Sequence, residues 1–145
     1  MKTIVHCLSA AALLVPLASS GASAQRQAQP QRQAAPQRAA MAGALGGVEL
    51  GQWQLKDAEG SVRRICVRDR AMLLRLMHAG AQCEQVVMES APSMMTVRYS
   101  CPAHGHGRTT LNVETPRLVS IDTSGIADGA PFAEQFEARK TGTCD

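Results

Sequence analysis

Residues 96 to 115 read Thr-Val-Arg-Tyr-Ser-Cys-Pro-Ala-His-Gly-His-Gly-Arg-Thr-Thr-Leu-Asn-Val-Glu-Thr. Val97, Tyr99 and Cys101 alternate with Arg98 and Ser100, and Leu111 and Val113 alternate with Asn112 and Glu114. Successive side chains of a strand point to opposite faces, so this period of two predicts a pair of half-buried strands. The Pro- and Gly-rich stretch between them predicts the turn of a hairpin. A hairpin with one apolar face cannot stand alone in water, so the rest of the chain has to supply further strands or a helix.

The chain supplies both. Glu49 to Lys56 reads as a first strand with Trp53 and Leu55 on one side, Asp57 to Gly60 as a turn, and Ser61 to Val67 as a second strand. A short helix is expected over about 69–79, with Asp69 as N-cap, Met72, Leu73, Leu76 and Met77 on one stripe, and Gly80 as the stop. Gln82 to Glu89 and Met94 to Cys101 flank the turn Ser90 to Ser93, Arg108 to Thr115 ends at Pro116, and Leu118 to Thr123 follows. Residues 124 to 131 read as an irregular connection, and Phe132 to Lys140 as the last strand. The expected class is mainly β: an antiparallel meander, a curled sheet or barrel-like, with one short helix over one side or end.

The N-terminus predicts export. Lys2 and His6 precede an apolar run from Ala10 to Ala18, and Ala22-Ser23-Ala24 supplies small residues at a cleavage site. This is the layout of a signal peptide over 1–24, and the run is too short to span a membrane. Cleavage is expected before Gln25, which removes Cys7 with the leader, places the domain in the periplasm and leaves no transmembrane segment in the mature chain. Residues 25–42 repeat a six-residue unit, Gln-Arg-Gln-Ala-x-Pro, almost three times and carry no large apolar side chain beyond Met41. Such a segment cannot offset its ordering entropy by burial, so a disordered arm is expected before a single domain over 43–145.

Composition narrows the partners. From Gly43 onward 11 Lys and Arg face 12 Asp and Glu, and the aromatics are Trp53, Tyr99, Phe132 and Phe136. No basic face and no stacking platform follow, which argues against nucleic acid and leaves an envelope component or a small ligand as partner. Four cysteines remain after export, Cys66, Cys83, Cys101 and Cys144. An even number in a small exported domain predicts two disulfides, with three pairings open. The expected pairing joins Cys66 to Cys83, bracketing the helix, and Cys101 to Cys144, fastening the C-terminus to the hairpin. No Cys-x-x-Cys is present to favour a zinc site instead.

Gly51-Gln52-Trp53, Ile65-Cys66-Val67, Cys83, Tyr99-Ser100-Cys101 and the ending Ala138-Arg139-Lys140-Thr141-Gly142-Thr143-Cys144 together resemble the exported bacterial domains of unknown function grouped as DUF-3617. Leu50 and Gln54 stand where that family commonly has Pro and Glu. The resemblance implies a periplasmic, disulfide-stapled domain and brings no catalytic residue, ligand or cofactor.

His104-Gly105-His106 is the sharpest chemical motif, since two imidazoles at i and i+2 on a strand share a face and can begin a zinc or copper site. A third ligand would have to come from His78, Glu114 or Asp122. Ser100 lacks the Gly-x-Ser-x-Gly elbow of a hydrolase, and no thiol is left free. Arg108 follows two glycines and could meet an anion, while Arg139-Lys140 reads as an edge charge pair. The reading is therefore an exported, non-enzymatic envelope module that binds or supports a partner, without a cofactor. The alternatives are a metal-binding periplasmic protein using His104 and His106 and, more distantly, a hydrolase of unrecognised type.

Overall fold

A computed structural model describes Ala39, Met41 and residues 43–145. The expected signal peptide and the arm as far as residue 38 lie outside the described residues. Within the arm's expected range, Met41 packs against the domain core, and the Gln85 side-chain amide donates to its sulfur at 2.9 Å.

Among the described residues seven strands form one antiparallel sheet: β1 (Gly51–Asp57), β2 (Val62–Val67), β3 (Glu84–Ala91), β4 (Met94–Cys101), β5 (Gly105–Thr115), β6 (Leu118–Ala127) and β7 (Ala130–Gly142). Their order is β2-β1-β7-β6-β5-β4-β3, so β3 to β7 run as a meander, β1 joins β7, and the sheet stays open with β2 and β3 as its edges. Arg139 and Lys140 therefore sit on an interior strand. Lys140 reaches the Glu49 carboxylate at 2.7 Å and holds it below the usual glutamate range, while Arg139 lies 3.8 Å from Glu137.

The alternation seen in β4 sets the inner face. Met95, Val97, Tyr99 and Cys101 point inward and meet Trp53 and Leu55 of β1, Val67 of β2, Leu111 of β5, Val119 and Ile121 of β6, and Phe136 and Ala138 of β7. Most of these side chains are wholly removed from water, and burial of a large aliphatic or aromatic group contributes about 1.5–3 kcal/mol each.

The expected irregular segment over 124–131 is instead the continuation of β6 and β7, which pair without a break from Leu118↔Arg139 to Ala127↔Ala130. Asp128 and Gly129 make the two-residue turn, with φ of 48° and 85°. Positive φ at both central positions belongs to the turn whose twist matches that of the flanking strands, and Asp-Gly is one of its preferred pairs. Ser124 and Gly125 hide the strand because neither is a strand former.

The helix expected over 69–79 takes the form of two 3-10 turns, Arg70–Leu74 and Leu76–His78, interrupted at Arg75. Asp69 does cap the first, its carboxylate accepting from the Ala71 amide at 3.0 Å. β2 and β3 are consecutive in sequence but form the two edges of the sheet. The 3-10 turns between them bury Leu73, Leu74, Leu76 and His78 on the inner face.

The same topology corrects the disulfide pairing. Cys66 is bonded to Cys144, and Cys83 to Cys101. Each cysteine is paired by the ladder it belongs to or adjoins. Gln52 of β1 is instead paired with Cys66 on one side and Gly142 on the other, which places Cys144 within reach of Cys66, their Cα atoms 5.6 Å apart. Glu84 opposite Ser100 sets Cys83 beside Cys101, with Cα atoms 4.1 Å apart.

Sequence separations of 78 and 18 residues give, in the chain-entropy account, about 4.5 and 3 kcal/mol of stabilisation. Replacing Cys66 and Cys144 by Ala is thus expected to lower the urea midpoint more than replacing Cys83 and Cys101. Equilibrium unfolding of the two double variants checks the order, and non-reducing peptide mapping checks the pairs.

Candidate functional site

The inner face carries few buried polar groups, and they cluster at one end. His78 closes the second 3-10 turn and is only 5 % exposed. Its Nε2 lies 3.0 Å from the His104 carbonyl and 3.1 Å from the Ile126 carbonyl, and its Nδ1 lies 3.2 Å from the Tyr99 hydroxyl. Carbonyls only accept, so Nε2 carries the proton and donates to both, and Nδ1 accepts from Tyr99. The phenol is hydrogen-bonded in turn to Thr109 and Thr123, whose hydroxyls lie 2.8 Å apart. Burial pushes the Tyr99 phenol above its ordinary value, with the threonine bonds opposing that shift.

Gly107 makes room for this chain. It faces Tyr99 across the β4–β5 pair, and a Cβ there would collide with the Tyr99 hydroxyl and come within 2.6 Å of the ring carbon that bears it. The glycine after His106 is thus required by packing.

The histidine motif divides at the start of β5. His104 lies in the turn after Cys101, with its Nδ1 3.0 Å from the Asp128 carboxylate, both side chains largely in water. His106 is already in β5, exposed, between Ser100 of β4 and Ile126 of β6. Of the partners considered for a metal, His78 comes closest, but its ring nitrogens are bonded to carbonyls and to Tyr99. Asp122 lies opposite Thr110, four residues along β5 from His106, or about 13 Å. It accepts from Gln135 at 3.1 Å, and Glu114 accepts from Ser120 further along the sheet. Among the described residues, no group of three His, Cys, Asp or Glu side chains is arranged to hold a metal ion.

Ser100 and His106 stand opposite each other on the outer face, yet no hydrogen bond joins them, and β6 offers Ile126 rather than a carboxylate beside His106. Arg108 borders a shallow polar recess with Thr110, Asn112, Asp122 and Ser124.

A different recess lies beside edge strand β2, where the 3-10 turns pass over it. This cleft of about 480 Å³ has Ile65, Met72, Leu76 and Cys83 in its walls and Arg63 and Arg75 among its polar groups. The stripe of Met72, Leu73, Leu76 and Met77 signalled packing, and Leu73 and Leu76 are buried while Met77 packs against the core. That Met72 would remain partly open beside two arginines needs the position of β2, which no local pattern carries.

Comparison with protein families, with curated proteins and with solved structures finds no match for this chain. Fold and surface define a disulfide-stapled, open antiparallel sheet whose inner face is filled by its own connection.

Two substitutions separate the structural histidine from the exposed ones. His78→Phe leaves two carbonyls and a phenol without their partner, so it is expected to cost about 2 kcal/mol or more in urea unfolding. His104→Ala combined with His106→Ala is expected to shift stability by about 0.5 kcal/mol at most.

Proposed function

We propose that this chain is an exported, periplasmic, non-enzymatic module of the bacterial envelope that recognises a ligand or partner at its surface, and that it belongs with the DUF-3617 proteins. The observation that carries the reading is the use made of the buried polar groups. His78, Thr96, Thr109 and Thr123 are the buried polar residues among those described, and each is hydrogen-bonded within the fold. Catalytic groups are held toward a site with capacity to spare for a substrate, whereas these spend theirs on the sheet and its connection. The one buried side-chain oxygen without a partner among the described residues is Gln85 Oε1, beside Met41.

Export is supported by the two disulfides, which persist in an oxidising compartment outside the cytoplasm, and by the leader-like pattern of the first 24 residues. Among the described residues no helix is long and apolar enough to cross a membrane. The residues that carry the family resemblance fit a structural role: Trp53 fills the core, and Cys66, Cys83, Cys101 and Cys144 form the two staples.

Native mass spectrometry of protein isolated from the periplasm tests the reading. The expected species starts at Gln25, carries both disulfides and retains a non-metal ligand or a protein partner. One equivalent of zinc or copper that survives dialysis, and is lost with His104→Ala and His106→Ala, would move the protein to the metal-binding class.

A further inference from the structure

The cleft beside β2 joins an apolar wall to unspent positive charge. Ile65 and Met72 are partly open to it, Leu76 forms its buried floor, and the Cys83 sulfur closes one side. Arg63 is exposed, its guanidinium 4.8 Å from the centre of the Phe136 ring, which fixes the side chain in place without neutralising it. Arg75 interrupts the two 3-10 turns and makes no ion pair; the ion pairs among the described residues involve His104, Arg139 and Lys140. Asp69 is the one carboxylate in the lining; it caps the Ala71 amide and keeps its charge, so two arginines against one aspartate leave the lining net positive.

We propose that this cleft binds a single-chain anionic amphiphile, with the chain against Ile65, Met72 and Leu76 and the anionic head between Arg63 and Arg75. The proposal rests on the reading of the protein as a surface-binding module and names the ligand class. Its volume of about 480 Å³ falls in the range of small-molecule sites, which are apolar with a few placed polar groups. Apolar burial holds the chain, and the guanidinium fork suits the oxygens of a carboxylate or a phosphate. A cationic or neutral head would leave both arginines without a partner. The recess around Arg108 is lined by Thr110, Asn112, Asp122 and Ser124 and offers no apolar wall, the one at Arg117 has Leu118 as its single apolar side chain, and the one at Lys56 sets three carboxylates, Asp57, Asp122 and Glu137, against one cation.

Isothermal titration of the full mature chain, disulfides intact, tests this with dodecanoate, dodecyl phosphate and dodecyltrimethylammonium, each below its micelle concentration. The expected result is saturable one-to-one binding of the two anions, with the cation at least about tenfold weaker. The tighter of the two anions then assigns the head to a fatty acid or to a phosphate-bearing lipid. Arg63→Glu and Arg75→Glu should each weaken anion binding by at least about tenfold, with the near-ultraviolet circular dichroism and the melting temperature unchanged. Arg63 is exposed, so its variant remains informative if Arg75→Glu proves unstable. The proposal is overturned if no saturable binding occurs, if the cation binds as tightly as the anions, or if both folded variants bind as the parent does. Any of these results leaves the module reading to be decided by what the periplasmic protein retains in the mass spectrometer.

Discussion

The separation of β2 from β3 is the constraint on which the rest of the structure depends. These two strands follow one another in the chain yet form the opposite edges of the sheet. The stretch between them has to cross the inner face, and crossing it is what buries that face. Leu73, Leu74 and Leu76 come from this crossing, and with Ala44, Leu45 and Val48 they complete a core that the strands provide from one side only. Arg70 donates to the Val48 carbonyl and so ties the two covering segments to each other. A sheet with one apolar face needs such a cover, because an uncovered apolar face is unstable in water.

Apolar contact is non-directional, so it does not by itself decide where the crossing rests. The chain from the His104 and Ile126 carbonyls through His78 and Tyr99 to Thr109 and Thr123 supplies direction. It links the end of the crossing to β4, β5 and β6 at once, and a shift of one residue would leave several buried polar groups unpaired. Cys83–Cys101 makes the same attachment covalent a few residues later. The two disulfides then divide the work: one fixes the end of the crossing to β4, and the other fixes edge strand β2 to the tail after β7.

Much of the fold was legible because it is written in local patterns. The alternation of Val97, Tyr99 and Cys101 located the inner face, the turn residues Asp57 to Gly60 and Ser90 to Ser93 located two hairpins, and the even cysteine number announced two staples. What escaped depends on distant neighbours. The partner of Cys66 follows from strand order, which places β1 beside β7, and no periodicity in either strand reports that pairing. The extension of β6 through Ser124 and Gly125 is imposed by β5 and β7 on either side, against the weak strand preference of those residues. His78 drew notice only as a metal ligand, because the carbonyls and the phenol that engage it lie 21 to 48 residues away. The cleft was invisible for a similar reason: Arg63 and Arg75 belong to different elements and become neighbours of one recess only when the crossing passes over β2.

An open sheet filled on its inner face has little room for a ligand except at its margin. At the β2 margin the crossing starts, and the 3-10 turns, with their break at Arg75, leave the wall of Met72 and Leu76 beside Ile65 of the edge strand. Closing the sheet into a barrel would pair the edges and remove that recess. The recess is therefore a geometric by-product of the same crossing that stabilises the core. Its walls are held on one side by the β1–β2 pairing and on the other by the Cys83–Cys101 bond. A site whose walls are fixed before a ligand arrives loses little ordering entropy on binding, so a modest apolar wall and two unpaired guanidinium groups can provide useful affinity.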